Sequence, residues 1–180
     1  MKKRLIILSI FALVFLIVGT IIYIFLRSIF SPYTSPQKIK KELDKNYEMI
    51  SKVVLYLKET EYETIDIQCT DYIFDDGDYG TWYVDSENDK NVRGVVPINN
   101  DDIVDIVENM FIVHKYQNIN KQGNTILFQL WANLDMSSGF AYTMDGLKPQ
   151  IQFVSKIEKL NKENWYYYET DFNEWKKHNK

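Results

Sequence analysis

Residues 5–26 read LIILSIFALVFLIVGTIIYIFL, 22 positions without a charge, of which only Ser9, Gly19 and Thr20 are not hydrophobic. As a helix such a run is about 33 Å long, enough to cross a hydrocarbon core of about 30 Å. A cleaved signal peptide has a shorter apolar region, roughly 7–15 residues, and a small-residue cleavage site. Here the run is followed by Arg27-Ser28-Ile29-Phe30-Ser31-Pro32, with no such site and no nearby cysteine for a lipid anchor. The expectation is a retained single-pass signal anchor over residues 5–27.

Lys2, Lys3 and Arg4 precede the run, and by the positive-inside rule they keep residues 1–4 in the cytoplasm. The wider flank carries Lys38, Lys40, Lys41 and Lys45, so the tight N-terminal cluster decides the orientation. The remaining chain is then expected outside the cytoplasmic membrane. Abundant Ile, Lys and Asn with little Ala suggest an AT-rich bacterial genome.

Charge is distributed unevenly. Four of the 21 basic residues and none of the 25 acidic ones precede residue 28, which leaves −8 for residues 28–180. Seven acids fall between Asp71 and Asp89. A chain of this balance lacks the clustered Lys and Arg that neutralise phosphates, which excludes nucleic acid as a partner. The 4 Trp, 13 Tyr and 10 Phe exclude a disordered tail, because disorder goes with few aromatics. Cys69 is the only cysteine, so no disulfide forms within the chain. It alternates with Ile65 and Ile67 and reads as a small buried hydrophobe.

After a linker over residues 28–35, Ser35 and Pro36 suit an N-cap and a first helical position. Ile39, Leu43, Tyr47, Ile50, Val54 and Leu57 then recur at spacings of three and four, which predicts one amphipathic helix from Pro36 to Glu59. Strands are expected at Thr64–Thr70, Thr81–Asp85 and Val92–Ile98, with Pro97 forcing an edge or an end. A second helix, capped by Asn99 or Asn100, follows and carries Ile103, Val104, Ile106, Val107 and Met110. A meander is expected at Ile112–Ile119, Thr125–Leu134, Gly139–Met144 and Gln150–Leu160, with a closing strand near Trp165–Glu169. Residues 176–180 read as a basic tail. The fold class is α+β: an N-terminal transmembrane helix, then one domain over residues 36–175. In it two helices pack on a curved antiparallel sheet, possible as two helix-plus-meander units.

Catalytic and metal-binding signatures are missing. No H-E-x-x-H, C-x-x-C, G-x-S-x-G or Gly-rich phosphate loop occurs. His114 reads as a structural residue on a strand beside Ile112 and Tyr116, and His178 as part of a solvated tail. Asp75, Asp76 and Asp78 around Gly77 offer hard oxygen ligands for Ca²⁺, without the spacing of an EF-hand; a solvated acidic turn is the competing reading. No other cofactor is implied.

Trp82, Trp131, Trp165, Tyr166, Tyr167, Tyr168 and Trp175 invite a carbohydrate- or peptide-binding reading, against the general preference of rings for cores and strands. Leu127 and Trp131 fall on the strand face opposite Ile126 and Phe128, so Leu127, Trp131, Trp165 and Tyr167 are the candidate interaction residues. The leading expectation is a non-enzymatic binding or interaction module with a protein or cell-wall partner. Two alternatives are a small hydrolase using two carboxylates, and an accessory subunit of a membrane complex packed through Ser9, Gly19 and Thr20.

Overall fold

The structure is a computed structural model that describes residues 13–22, 35–68, 81–85, 93–133 and 135–178. The chain divides into two units, Met1–Pro32 and Tyr33–Lys180. In the first, residues 13–22 are helical and Thr20 Oγ1 donates back to the Leu16 carbonyl oxygen at 2.7 Å. No helix among the described residues is long and apolar enough to cross a membrane; the rest of the run 5–26 lies outside them.

The second unit is α+β. Its helical stripe forms as two helices, α1 (Pro36–Lys45) and α2 (Tyr47–Glu59), and not as one. The break is Asn46, at φ −111° and ψ 19°. Asparagine side chains compete with helical backbone. This one donates to Glu42 Oε1 at 2.7 Å and lies 3.2 Å from His114 Nδ1. Pro36 takes the first helical position, while the Ser35 side chain makes no capping bond. Ile39, Leu43, Ile50, Val54 and Leu57 of the stripe are buried, as is Val53.

Three strands follow: β1 (Thr64–Gln68), β2 (Thr81–Asp85) and β3 (Arg93–Pro97). Then come α3 (Asp101–Ile112), β4 (Asn118–Gln122), β5 (Thr125–Asn133), β6 (Met136–Thr143), β7 (Val154–Lys159), β8 (Trp165–Asp171) and α4 (Phe172–His178). Among the described residues the eight strands form one sheet in the order β3-β2-β1-β4-β5-β6-β8-β7, every neighbouring pair antiparallel. The β1–β4 ladder joins the strands before α3 to those after it, and in the second set β8 lies between β6 and β7, which interrupts the expected meander. Pro97 ends the edge strand β3, a place where its missing N–H costs no ladder bond.

Asn100 caps α3 as expected, its Oδ1 accepting from the Ile103 amide at 3.2 Å. The helix runs on to Ile112, so His114 lies in the turn after it and not on a strand. The apolar positions Ile103, Val107, Met110 and Phe111 hold the helical period through this stretch, and all four are buried. Residues 176–178, expected as tail, belong to α4.

One core lies between the sheet and α1, α2 and α3. It takes Ile65 and Ile67 from β1, Ile119 from β4, Ile126 and Phe128 from β5, Phe140 from β6, and Trp165 and Tyr167 from β8. Rings dominate its centre. Phe128 and Phe140 stack at 5.2 Å, and Tyr116 and Trp165 meet Phe140 edge-on at 6.0 and 5.5 Å. On the opposite face Ala141, Tyr166 and Tyr168 form a smaller cluster, covered by Leu127, Ile151 and Ile157. β8 is therefore buried on both faces: Trp165 and Tyr167 turn to the helices, Tyr166 and Tyr168 away from them.

Two sequence expectations shift near β5 and β6. The ladder slips between Gln129 and Trp131, so Gln129 faces Gly139 while Trp131 faces Ser138. A bulge of this kind reverses the side-chain parity of a strand. Ser138 also lies in β6, paired with Glu169 of β8, although the expected strand began at Gly139.

Candidate functional site

The four candidate interaction residues do not come together. Trp165 and Tyr167 are 2% and 0% exposed in the helix-side core. The Tyr167 hydroxyl donates to Glu169 Oε1. Trp131 is displaced by the bulge: its partner Ser138 alternates with Phe140, which puts Trp131 on the helix side. Leu127 alone lies on the sheet face away from α1, α2 and α3. Asp75, Asp76, Asp78 and Cys69 lie outside the described residues, as does the Trp82 side chain. Among the described residues no group of three His, Cys, Asp or Glu could hold a metal ion.

What Leu127 lines is a groove of about 260 Å³ on that face. Alternation builds it. Asp66 lies between the buried Ile65 and Ile67 of β1, and Asn118 and Asn120 flank the buried Ile119 of β4. Each helix-side isoleucine thus turns a polar neighbour to the other face. Register then aligns them across the sheet: Asp66 faces Asn120, which faces Leu127, and Asn118 faces Gln129. Gln122, Ser137 and Thr170 complete the sheet's contribution, with Tyr168 beneath.

The far wall comes from Ile151, Gln152 and Phe153, in the connection between β6 and β7. Phe153 holds this wall in a conformation that L-residues seldom adopt, φ 58°. Its carbonyl oxygen accepts from the Asp171 amide at 3.0 Å, and its ring meets Phe172 at 4.9 Å and Trp175 at 5.1 Å. The short helix α4 therefore braces one side of the groove.

The groove's polar groups are partly tied to one another. Asn118 Nδ2 donates to Asp66 Oδ1 at 2.7 Å and Asn120 Nδ2 to the same oxygen at 3.4 Å. Ser137 and Thr170 share a hydrogen bond of 2.7 Å. Asn120 Oδ1 is buried and has no hydrogen-bond partner. Burial pushes the Tyr168 hydroxyl well above the usual phenol range, with a hydrogen bond to Ser137 pulling the other way.

Two other places carry chemistry-bearing side chains. At the α1–α2 break, His114 Nδ1 lies 3.0 Å from Glu42 Oε1, next to Asn46. Tyr116 follows in sequence, its hydroxyl buried without a partner. Beyond α2 a hollow of about 370 Å³ is lined by Tyr56, Glu59, Thr60, Glu61, Tyr62, Pro97 and Asn99. The carboxylate hydrolase reading needs a convergent acid pair, one of them in an apolar pocket. Among the described residues the groove has a single carboxylate, Asp66, and Glu59 and Glu61 stand exposed.

The groove residues carry a sequence signal that hydrophobic periodicity passes over. In Asn118-Ile119-Asn120-Lys121-Gln122 every second position is an amide, and Asp66 and Gln68 alternate with Ile65 and Ile67. The register that brings these strands together is not local. Comparison of the chain with protein-family models, with curated proteins and with solved structures finds no match.

Proposed function

We propose that the chain is a non-enzymatic binding module, tethered to a bacterial cytoplasmic membrane with the Tyr33–Lys180 unit outside. The tether rests on the uncharged run 5–26 and the basic cluster before it. The side chains of Leu13, Phe15, Leu16 and Ile21 are 60–80% exposed on the helical segment 13–22, which an apolar environment would cover. A C-terminal alkaline phosphatase fusion should be active, and an inactive fusion beside an active cytosolic reporter overturns the orientation.

The observation that carries the binding reading is the groove on the sheet face away from α1, α2 and α3. Elsewhere that face buries Ala141, Tyr166 and Tyr168 under Leu127, Ile151 and Ile157. Between Asp66 and Thr170 it stays open and polar. Ligand sites are concave and set convergent polar groups beside apolar side chains, supplied here by Leu127, Ile151 and Phe153. Soluble cell-envelope fragments should bind the full chain in calorimetry. Binding should fall at least tenfold in Gln129→Leu and be unchanged in Glu163→Gln, whose site is exposed and outside the groove. Equal binding by both variants overturns the reading.

A further inference from the structure

We infer that the groove's ligand is a neutral, hydroxyl-rich chain, an oligosaccharide. This rests on the groove being the binding site.

The donor and acceptor inventory points there. Among the described residues five primary amides line the groove, Gln152 on its far wall among them, beside one carboxylate and no Lys or Arg. A primary amide holds an acceptor and two donors on one plane. It can therefore accept from one hydroxyl of a vicinal diol and donate to the next. A phosphate or an acidic peptide would meet Asp66 with no cation to offset it, and desolvating such an anion without a partner is costly. A basic ligand would find a single carboxylate whose Oδ1 already accepts from Asn118.

Asn120 supplies the sharper indication. Both Asn118 and Asn120 turn their amide nitrogens to Asp66, which fixes their orientation. That leaves Asn120 Oδ1 buried and without a donor. A buried unpaired acceptor is costly, and a ligand hydroxyl that reaches it relieves that cost. Leu127 and Ile151 provide apolar area beside these groups, suited to the C–H face of a sugar ring. A volume of about 260 Å³ is just below the usual range for ligand pockets and suits a short stretch of a chain that continues into solvent.

The test uses the full chain in a polyoxyethylene detergent, because a glycosidic detergent would compete. Chitotetraose, cellotetraose and the uncharged peptide acetyl-(Ala)4-amide are titrated by calorimetry. The inference expects at least one oligosaccharide to bind. Asn120→Leu and Gln129→Met should each weaken it tenfold or more, with thermal melts confirming that each variant folds. A variant that does not fold is replaced by Gln152→Leu, on the exposed rim. Binding of the peptide alone, sensitive to the same variants, overturns the oligosaccharide and leaves the groove as the site. Oligosaccharide binding that all the folded variants retain, or no binding by any probe, overturns the oligosaccharide proposal too; equal binding of envelope fragments by Gln129→Leu overturns the groove itself.

Discussion

Lys121 Nζ donates to the Thr60 carbonyl oxygen at 3.1 Å and to the Thr60 hydroxyl at 3.0 Å, which ties β4 to the C-cap of α2. Lys121 is 5% exposed and faces Ile65 and Ile126 across the sheet, an apolar position by pattern. Its ammonium meets the negative end of α2, where a cation is favoured. Lys121→Met keeps the stem and removes the donor, so a loss of about 1 kcal/mol is expected.

The same residue sets a pH dependence below pH 10. Burial pulls the Lys121 pKa below its ordinary value of 10.5, and nearby Glu63 opposes the shift. Between the lowered folded value and 10.5 the unfolded chain binds more protons than the folded one. Stability from this group therefore rises with pH across that window. Urea midpoints measured from pH 7 to 10 should rise relative to those of Lys121→Met. Parallel curves for the two proteins would refute it.

Tyr116 and Tyr168 act in the opposite sense at higher pH. Burial raises both phenols above their ordinary 10.0, and for Tyr116 the Glu42 carboxylate adds to the effect. Their contribution is complete below pH 10 and falls above it, where the unfolded chain releases protons that the folded chain retains. Absorbance at 295 nm should show these two phenolates forming together with unfolding, and not before it. Tyr168→Phe should reduce the alkaline loss. A smooth titration of all tyrosines in the folded protein would overturn this.

Removing the Tyr116 hydroxyl should stabilise the protein. The ring is fully buried edge-on against Phe128 and Phe140, but its oxygen has no partner. Thr143 Oγ1 is in the same position. An unpaired buried hydroxyl costs about 1–3 kcal/mol, so Tyr116→Phe and Thr143→Val should each raise the melting temperature by a few degrees. Lower melting temperatures would mean that these oxygens have partners in solution.

The fold was legible in sequence wherever one period ran unbroken. Ile39 to Leu57 gave the helical layer, and Ile126 with Phe128 gave the core face of β5. Asn46 was not legible as a break, because the residues that engage it are Glu42 and, 68 positions away, His114. Trp131 was assigned to Leu127's face because strict alternation says so. The bulge that moves it depends on β6, not on β5. The groove failed for a related reason. The faces of Asp66, Asn120 and Gln129 follow from their own strands, but that β1 and β4 are neighbours depends on the whole sheet.

Gly139 faces Gln129 beside the bulge, and two glycine substitutions separate its close packing from left-handed backbone freedom. A Cβ at Gly139 would lie 2.0 Å from the Phe128 carbonyl oxygen and 3.0 Å from its carbon, both main-chain atoms. Neither can rotate away, so Gly139→Ala must move β5 or β6. A cost upward of about 3 kcal/mol is expected, above the usual range for overpacking. Gly123 differs: its φ is 52°, and nothing lies within 4 Å of the added Cβ. Gly123→Ala carries only left-handed strain, about 1 kcal/mol. Chemical denaturation should place Gly139→Ala at least about 2 kcal/mol below Gly123→Ala. The excess reports the clash with the β5 main chain at Phe128 and Gln129, and equal losses would show that β5 and β6 do not approach this closely.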